Sequence, residues 1–223
     1  KKIKGTLSNW LNALKKNNFS NLNLSILDLR SESLFPKIKS VITKGPVKIN
    51  LSTSKENGQN IVFGEVDFSS AEIIFPNLFI NKQKNAYGEL KFRLLDKRRL
   101  QFTYKQKGIF LEGVVHHDNF SEINKITYST INISDLIKGN AEYINFSDYK
   151  EFNLKNSIVD LAYLKRLKIR KRKKPLDIVF SELSLKSKRK LIMKDIRGEI
   201  RVFNGVRGYA KSTNLKENET TFT

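Results

Sequence analysis

The chain has 223 residues and a formal charge of +20, from 42 Lys+Arg against 22 Asp+Glu, with two His, one Met and no Cys. That length suits one large β-domain or two small ones. The absence of Cys excludes a disulfide framework and any thiolate metal site, and no apolar run approaches the roughly 20 residues that cross a bilayer as a helix.

Leu7, Trp10, Leu11 and Leu14 recur at helical spacing, which predicts a short helix over 6–16 ended by Asn17-Asn18. A strand is expected at Leu22–Leu27. The stretch 28–42 is ambiguous, and Pro36 argues against one unbroken helix there. After the Gly45-Pro46 turn the pattern changes to strict alternation. Val47, Ile49 and Leu51 oppose Lys48 and Asn50; Leu90, Phe92 and Leu94 oppose Glu89, Lys91 and Arg93; Leu100, Phe102 and Tyr104 oppose Gln101, Thr103 and Lys105. Period two is the mark of a half-buried strand. Strands are predicted at 47–54, 60–70, 71–75, 87–95, 99–105, 109–117, 124–133, 139–146, 150–155 and 157–160. A second set follows at 176–185, 190–196, 198–203 and 206–212. Turn signals such as Glu56-Asn57-Gly58, Lys107-Gly108 and Lys138-Gly139-Asn140 separate several of them, the signature of an all-β meander.

Between the two sets, Lys165–Pro175 is a basic block carrying Lys165, Arg166, Lys168, Arg170, Lys171, Arg172, Lys173 and Lys174. Such a block repels itself and stays solvated, so it reads as a linker, with contact to anionic lipid headgroups as its functional reading and nucleic acid as a third. The predicted organisation is a helix plus connecting segment over 1–43, a first β-segment over 44–164, the linker over 165–175, and the start of a second β-segment over 176–223. With no initiator Met, and a strand under way at Thr220–Thr223, the chain reads as part of a longer protein. The positive charge has a bland explanation. Lys (31) far exceeds Arg (11), as AT-rich coding favours.

No catalytic motif is present. His116 and His117 are adjacent, so on a strand they point to opposite faces and share no metal; they read as hairpin-turn residues. Glu65, Asp67 and Glu72 alternate with apolar residues as the wet side of strands. Phe63, Phe68, Phe92, Phe102 and Tyr104 are read at core parity, which argues against a base-stacking platform. The chain is therefore expected to be no enzyme and to use no cofactor or metal.

The order of segments resembles a known family. Gly45-Pro46-Val47 leads into an alternating strand. Val66-Asp67-Phe68-Ser69-Ser70-Ala71-Glu72-Ile73-Ile74-Phe75-Pro76-Asn77-Leu78 follows, then Tyr87-Gly88-Glu89-Leu90, Ile133-Ser134-Asp135-Leu136, Asn156-Ser157-Ile158-Val159-Asp160-Leu161 and, after the linker, Pro175-Leu176-Asp177-Ile178. Over residues 44–215 this is similar to the central region of the AsmA-like envelope proteins of Gram-negative bacteria, the YhdP type. The chain departs from that pattern in its loop 79–86, which lacks Trp, and in its far more basic surface. The resemblance implies a curled antiparallel sheet forming a trough and an inner-membrane anchor outside this chain. It also implies a periplasmic location and a non-catalytic role as one section of a bridge carrying phospholipid between inner and outer membranes. Val47, Ile49, Leu51, Val66, Phe68, Leu90, Phe92, Leu94, Leu100, Phe102 and Tyr104 are the groove candidates, with Leu176, Ile178 and Phe180 after the linker. Two rivals stand beside it. One is a structural β-sandwich module with a closed core, and the other is a basic nucleic-acid-binding protein. Sequence does not decide whether the apolar face is open or sealed.

Overall fold

A computed structural model describes residues 21–26, 42–56, 59–75, 80–118, 122–134, 136–164, 174–188, 190–214 and 219–222. The expected helix over 6–16, the segment 28–41 and basic residues 165–173 lie outside them. The described residues are almost wholly strand: β1 (Asn21–Ile26), β2 (Ile42–Lys44), β3 (Val47–Glu56), β4 (Gln59–Asp67), β5 (Glu72–Phe75), β6 (Ile80–Lys82), β7 (Gly88–Leu94) and β8 (Arg99–Gln106). Next come β9 (Ile109–Asp118), β10 (Glu122–Ile133), β11 (Ile137–Asn145), β12 (Lys150–Asp160), β13 (Leu176–Ser187), β14 (Lys190–Val202), β15 (Val206–Asn214) and β16 (Glu219–Phe222). The one helical element among them is a single turn, α1 (Leu161–Leu164), whose Ala162 N–H donates to the Asp160 carboxylate at 2.9 Å. The fold is all-β and mostly antiparallel, as the alternation predicts. Thirteen strands share one hydrogen-bonded order, β1-β3-β4-β7-β8-β9-β10-β11-β12-β13-β14-β15-β16, and β2-β5-β6 form a small second sheet.

The chain divides into two compact units, one holding β1–β8 and part of β9, the other the rest of β9, most of β10, and β11–β16. In unit one, successive antiparallel registers place Leu51 opposite Gly64, Gly64 opposite Phe92, and Phe92 opposite Phe102. Ile49, Val66, Leu90 and Tyr104 form the next row, so one face is apolar across β3, β4, β7 and β8. Phe92 lies over Gly64; a Cβ there would sit 2.0 Å from the ring. The glycine thus makes room for the aromatic ring of the neighbouring strand.

In unit two the alternation slips. Apolar residues occupy even positions in β10 through Tyr128 and odd ones from Ile131. In β12 the change falls between Leu154 and Val159, in β13 between Phe180 and Leu183, and in β14 between Met193 and Ile196. A slip of one residue would turn the following side chains to the wrong face. Instead, the register shifts between Tyr128 and Ile131, between Phe180 and Leu183 and between Lys194 and Arg197. Asn156, Glu182 and Asp195 each adopt a left-handed φ of 44°, 59° and 52°. Each strand absorbs its extra residue in a bulge, and the bulges of neighbouring strands fall at one level. At that level Gly139 of β11 has φ +144°, and a Cβ on it would meet Ser157 Oγ at 2.4 Å. The buried Ser157 hydroxyl is satisfied by the carbonyls of Lys155 (2.8 Å) and Asn140 (3.0 Å). The predicted breaks in β12 and β14 are thus bulges within continuous strands.

The residues after the basic block do not open a separate segment. β13 pairs with β12 in parallel, Lys150 opposite Leu176 through Asp160 opposite Lys186, and both belong to unit two. Parallel neighbours need a crossover connection of a dozen or more residues, and 161–175 is that connection.

Candidate functional site

The eleven groove candidates before the basic segment all lie in unit one, ten of them on the shared apolar face and Phe68 just beyond β4, its N–H bonded to the Gly88 carbonyl at 2.8 Å. Register brings them together as the alternation implies. Their exposure is low. Ile49 is 0% exposed, Val47 and Leu51 1%, Val66 2%, and Phe68, Phe92, Leu94, Leu100 and Phe102 no more than 9%. Leu90 and Tyr104 are half-buried, and burial pushes the Tyr104 phenol well above its ordinary value. In unit one most of these side chains are packed as a core, with Leu90 and Tyr104 the two that keep some exposure.

Leu176, Ile178 and Phe180 lie on β13 in unit two, where Ile178 faces Phe152 on one side and Ile200 on the other, and Phe180 faces Leu154 and Gly198. Phe180 is buried; Leu176, Ile178, Phe152 and Ile200 keep intermediate exposure, and Val206 at the β15 end of the face is 49% exposed. Every described strand of unit two belongs to the one large sheet, and on the same face Ala141, Leu154 and Val202 are 3%, 8% and 9% exposed. Of the proposed headgroup contacts, only Lys174 is described. It is exposed, and its ammonium donates to the Ser147 and Phe146 carbonyls.

The polar face of unit one is equally regular. Lys48, Asp67, Glu89 and Lys105 form one cross-strand row; Asn50, Glu65, Lys91 and Thr103 the next; Ser52, Phe63, Arg93 and Gln101 the third. Lys91 bridges Glu89 at 3.2 Å and Glu65 at 3.6 Å, and its hydrogen bond to Glu89 holds the ammonium above its ordinary pKa. Here the structure corrects the reading of Phe63. It is not at core parity but points to the other face of the sheet from Phe92 and Phe102, and its register partner Arg93 places its guanidinium 5.6 Å from the ring centre. Its odd position between Val62 and Gly64 was the available signal. The second and third rows line a cleft of about 310 Å³.

Two further groups were not anticipated. Lys82 is 2% exposed, and its ammonium donates to the carbonyls of Ala71 (2.6 Å), Gln83 (3.1 Å) and Ser69 (3.3 Å). Burial lowers its pKa and the Asp67 charge opposes that shift. Its stem runs across Gly88, where a Cβ would meet Lys82 Cε at 2.4 Å. Across β13 and β14, Arg201 clasps Asp177 with two hydrogen bonds of 2.7 and 2.6 Å, which hold the carboxyl below the ordinary aspartate range. His116 and His117 are strand residues at the end of β9 rather than turn residues; His117 is 2% exposed, and burial lowers its pKa. Among the described residues, no cluster of three or more His, Asp or Glu could hold a metal ion.

Comparison with family models, curated proteins and solved structures returned no match to this chain.

Proposed function

We propose that this chain is a non-catalytic section of a lipid-handling envelope protein of the AsmA-like kind, in which unit two offers its apolar sheet face to phospholipid acyl chains. The supporting observation is the set of aligned bulges. Sequence parity flips in several neighbouring strands, yet each bulge returns the apolar side chains to one face, from Ile126 and Tyr128 on β10 to Ile200 and Val202 on β14. Maintaining one apolar face through so many irregularities is what a surface that carries hydrocarbon requires. Burying a methylene is worth about 0.8 kcal/mol, so ten methylenes laid on this face gain on the order of 8 kcal/mol, comparable per group with a bilayer. A chain can then leave one for the other without a steep barrier. Location in the periplasm, anchorage to the inner membrane and a role between two membranes belong to this reading. Native mass spectrometry of the purified chain tests the reading. Co-purified phospholipid, lost on Ile178→Asp, supports it; a lipid-free chain that takes up none from vesicles opposes it.

A specific observation favours a second reading for unit one alone. Side chains at 0–2% exposure, from Ile49 to Val66, are those of a closed structural β-module. There, Ile49→Asp would unfold the unit, because an unpaired buried charge costs several kcal/mol.

A further inference from the structure

Two turns of unit two meet at one end of its sheet. Lys150 at the start of β12 lies beside Leu176 at the start of β13, Leu176 lies opposite Val202 at the end of β14, and Val202 pairs with Val206 at the start of β15. The Phe146–Tyr149 turn and the β14–β15 turn therefore project from the same end. Single exposed apolar residues are ordinary on a surface, but here they are grouped at the tips. Phe203 is 39% exposed, Val206 49% and Phe146 37%, and the Phe146 ring stacks on Tyr149 at 4.5 Å. Lys174 braces that turn by donating to the Phe146 and Ser147 carbonyls. Just behind the β14–β15 tip, Arg201 and Arg207 stand directly opposite each other, and a second cationic pair, Arg197 and Lys211, follows on the same face. Like charges so placed destabilise a strand pair unless an anion lies near them. Asp177 clasps Arg201, whereas Arg207 has no ion pair among the described residues. Between the two cationic pairs stands Tyr209, 54% exposed.

We propose that this end of unit two docks on an anionic phospholipid bilayer, with the β14–β15 tip entering it. Phe203 and Val206 pass below the headgroups, Arg207 takes a lipid phosphate, and Tyr209 lies at the water side of the interface, where its ring and its hydroxyl both find suitable surroundings. The dimensions agree. Phe203 stands two strand residues beyond Arg201, about 7 Å, and apolar elements seated in the interface reach roughly 5–10 Å inward. The formal charge of +20 draws the chain to such a surface without choosing an orientation, and the grouped apolar tips choose it. Single-stranded nucleic acid is disfavoured, because Glu199 faces Tyr209 across the strands and sets a carboxylate beside the ring on which a base would stack. Docking of this kind uses the end of the sheet and stands whether or not acyl chains lie along its apolar face.

The test is vesicle flotation and fluorescence with the full chain. It has no Cys, so Val206→Cys and, in unit one, Lys84→Cys each carry a single environment-sensitive label. Equimolar phosphatidylglycerol and phosphatidylcholine vesicles should float the chain, and the label at 206 should shift to the blue while the label at 84 does not. Phe203→Ser should weaken binding about tenfold, the worth of one large apolar side chain, and Arg207→Gln about fivefold. Lys84→Gln removes the same charge elsewhere and should leave binding nearly unchanged. All these positions are exposed, and a far-UV spectrum checks that each variant keeps its strands. A label at 206 that stays in water, or equal losses with Lys84→Gln and Arg207→Gln, would overturn the oriented contact. Tighter binding to an oligothymidylate than to the vesicles, insensitive to Phe203→Ser and steeply dependent on salt, would replace the bilayer with nucleic acid. Docking without uptake of phospholipid would leave this contact standing and count against acyl chains on the sheet face; uptake with no shift at 206 would do the reverse.

Discussion

Gly64 and Phe92 offer a sharp test of how unit one is packed. A Cβ built on Gly64 lies 2.0, 2.3 and 2.6 Å from three atoms of the Phe92 ring, far inside van der Waals contact. The ring is only 6% exposed and has little freedom to retreat. Gly64→Ala should therefore destabilise by about 1–3 kcal/mol, the usual cost of overpacking. Phe92→Ala should cost roughly 3–5 kcal/mol by leaving a cavity above the glycine. In the double variant the new methyl group enters vacated space, and alanine is favoured over glycine within a strand by about 0.5–1 kcal/mol. Gly64→Ala should then change sign and become mildly stabilising in the Phe92→Ala background. The coupling in this cycle should be about 1.5–4 kcal/mol, read from urea unfolding midpoints at constant slope. If the two costs simply add, the ring does not rest on the glycine and the packing described for this face is wrong.

Lys82→Met keeps the buried stem but strips the Ala71, Gln83 and Ser69 carbonyls of their donor; a loss of about 2–3 kcal/mol is expected in the same assay. Gly139→Ala should cost about 2 kcal/mol or more, and Ser157→Ala should not rescue it, because the Asn156 carbonyl oxygen also stands 2.6 Å from the added Cβ. The Asp177 carboxyl is held below its ordinary value of 3.8 in the folded protein, chiefly by hydrogen bonds from Arg201. Its stabilising contribution is therefore complete above that value and is lost as pH falls from there through the folded pKa. Acid titration of stability should show this loss, and Arg201→Gln should flatten it; an unchanged acid limb would deny the pair that role.

Strand existence was largely legible because alternation records burial directly. The runs at Val47, Leu90 and Leu100 kept their parity and became neighbouring strands on one face. The same rule misled where parity changed. Arg197 and Asn156 look like breaks between short strands, since a bulge and a strand end leave the same trace in the pattern. The parallel pairing of β12 with β13 was hidden because it depends on where the basic connection returns the chain, which alternation does not encode. Phe63 was misassigned through residue type: its ring outweighed its position, although Val62 and Gly64 on either side already fixed it on the other face. Lys82 left no signal, because its burial comes from three backbone carbonyls contributed by the chain on either side of it. The small sheet β2-β5-β6 was missed for a related reason. Two of its strands have three residues each, too few to establish a period.

The central claim is that hydrocarbon lies on the apolar face of unit two and not in unit one. Photo-crosslinking in a phospholipid-containing envelope tests it most directly, with the reactive side chain placed at Ile178 or Ile200 in unit two and at Ile49 in unit one. The account predicts phospholipid adducts at Ile178 and Ile200 and none at Ile49, whose side chain has no accessible surface. Adducts to protein alone at all three positions would contradict it and leave a closed structural β-module.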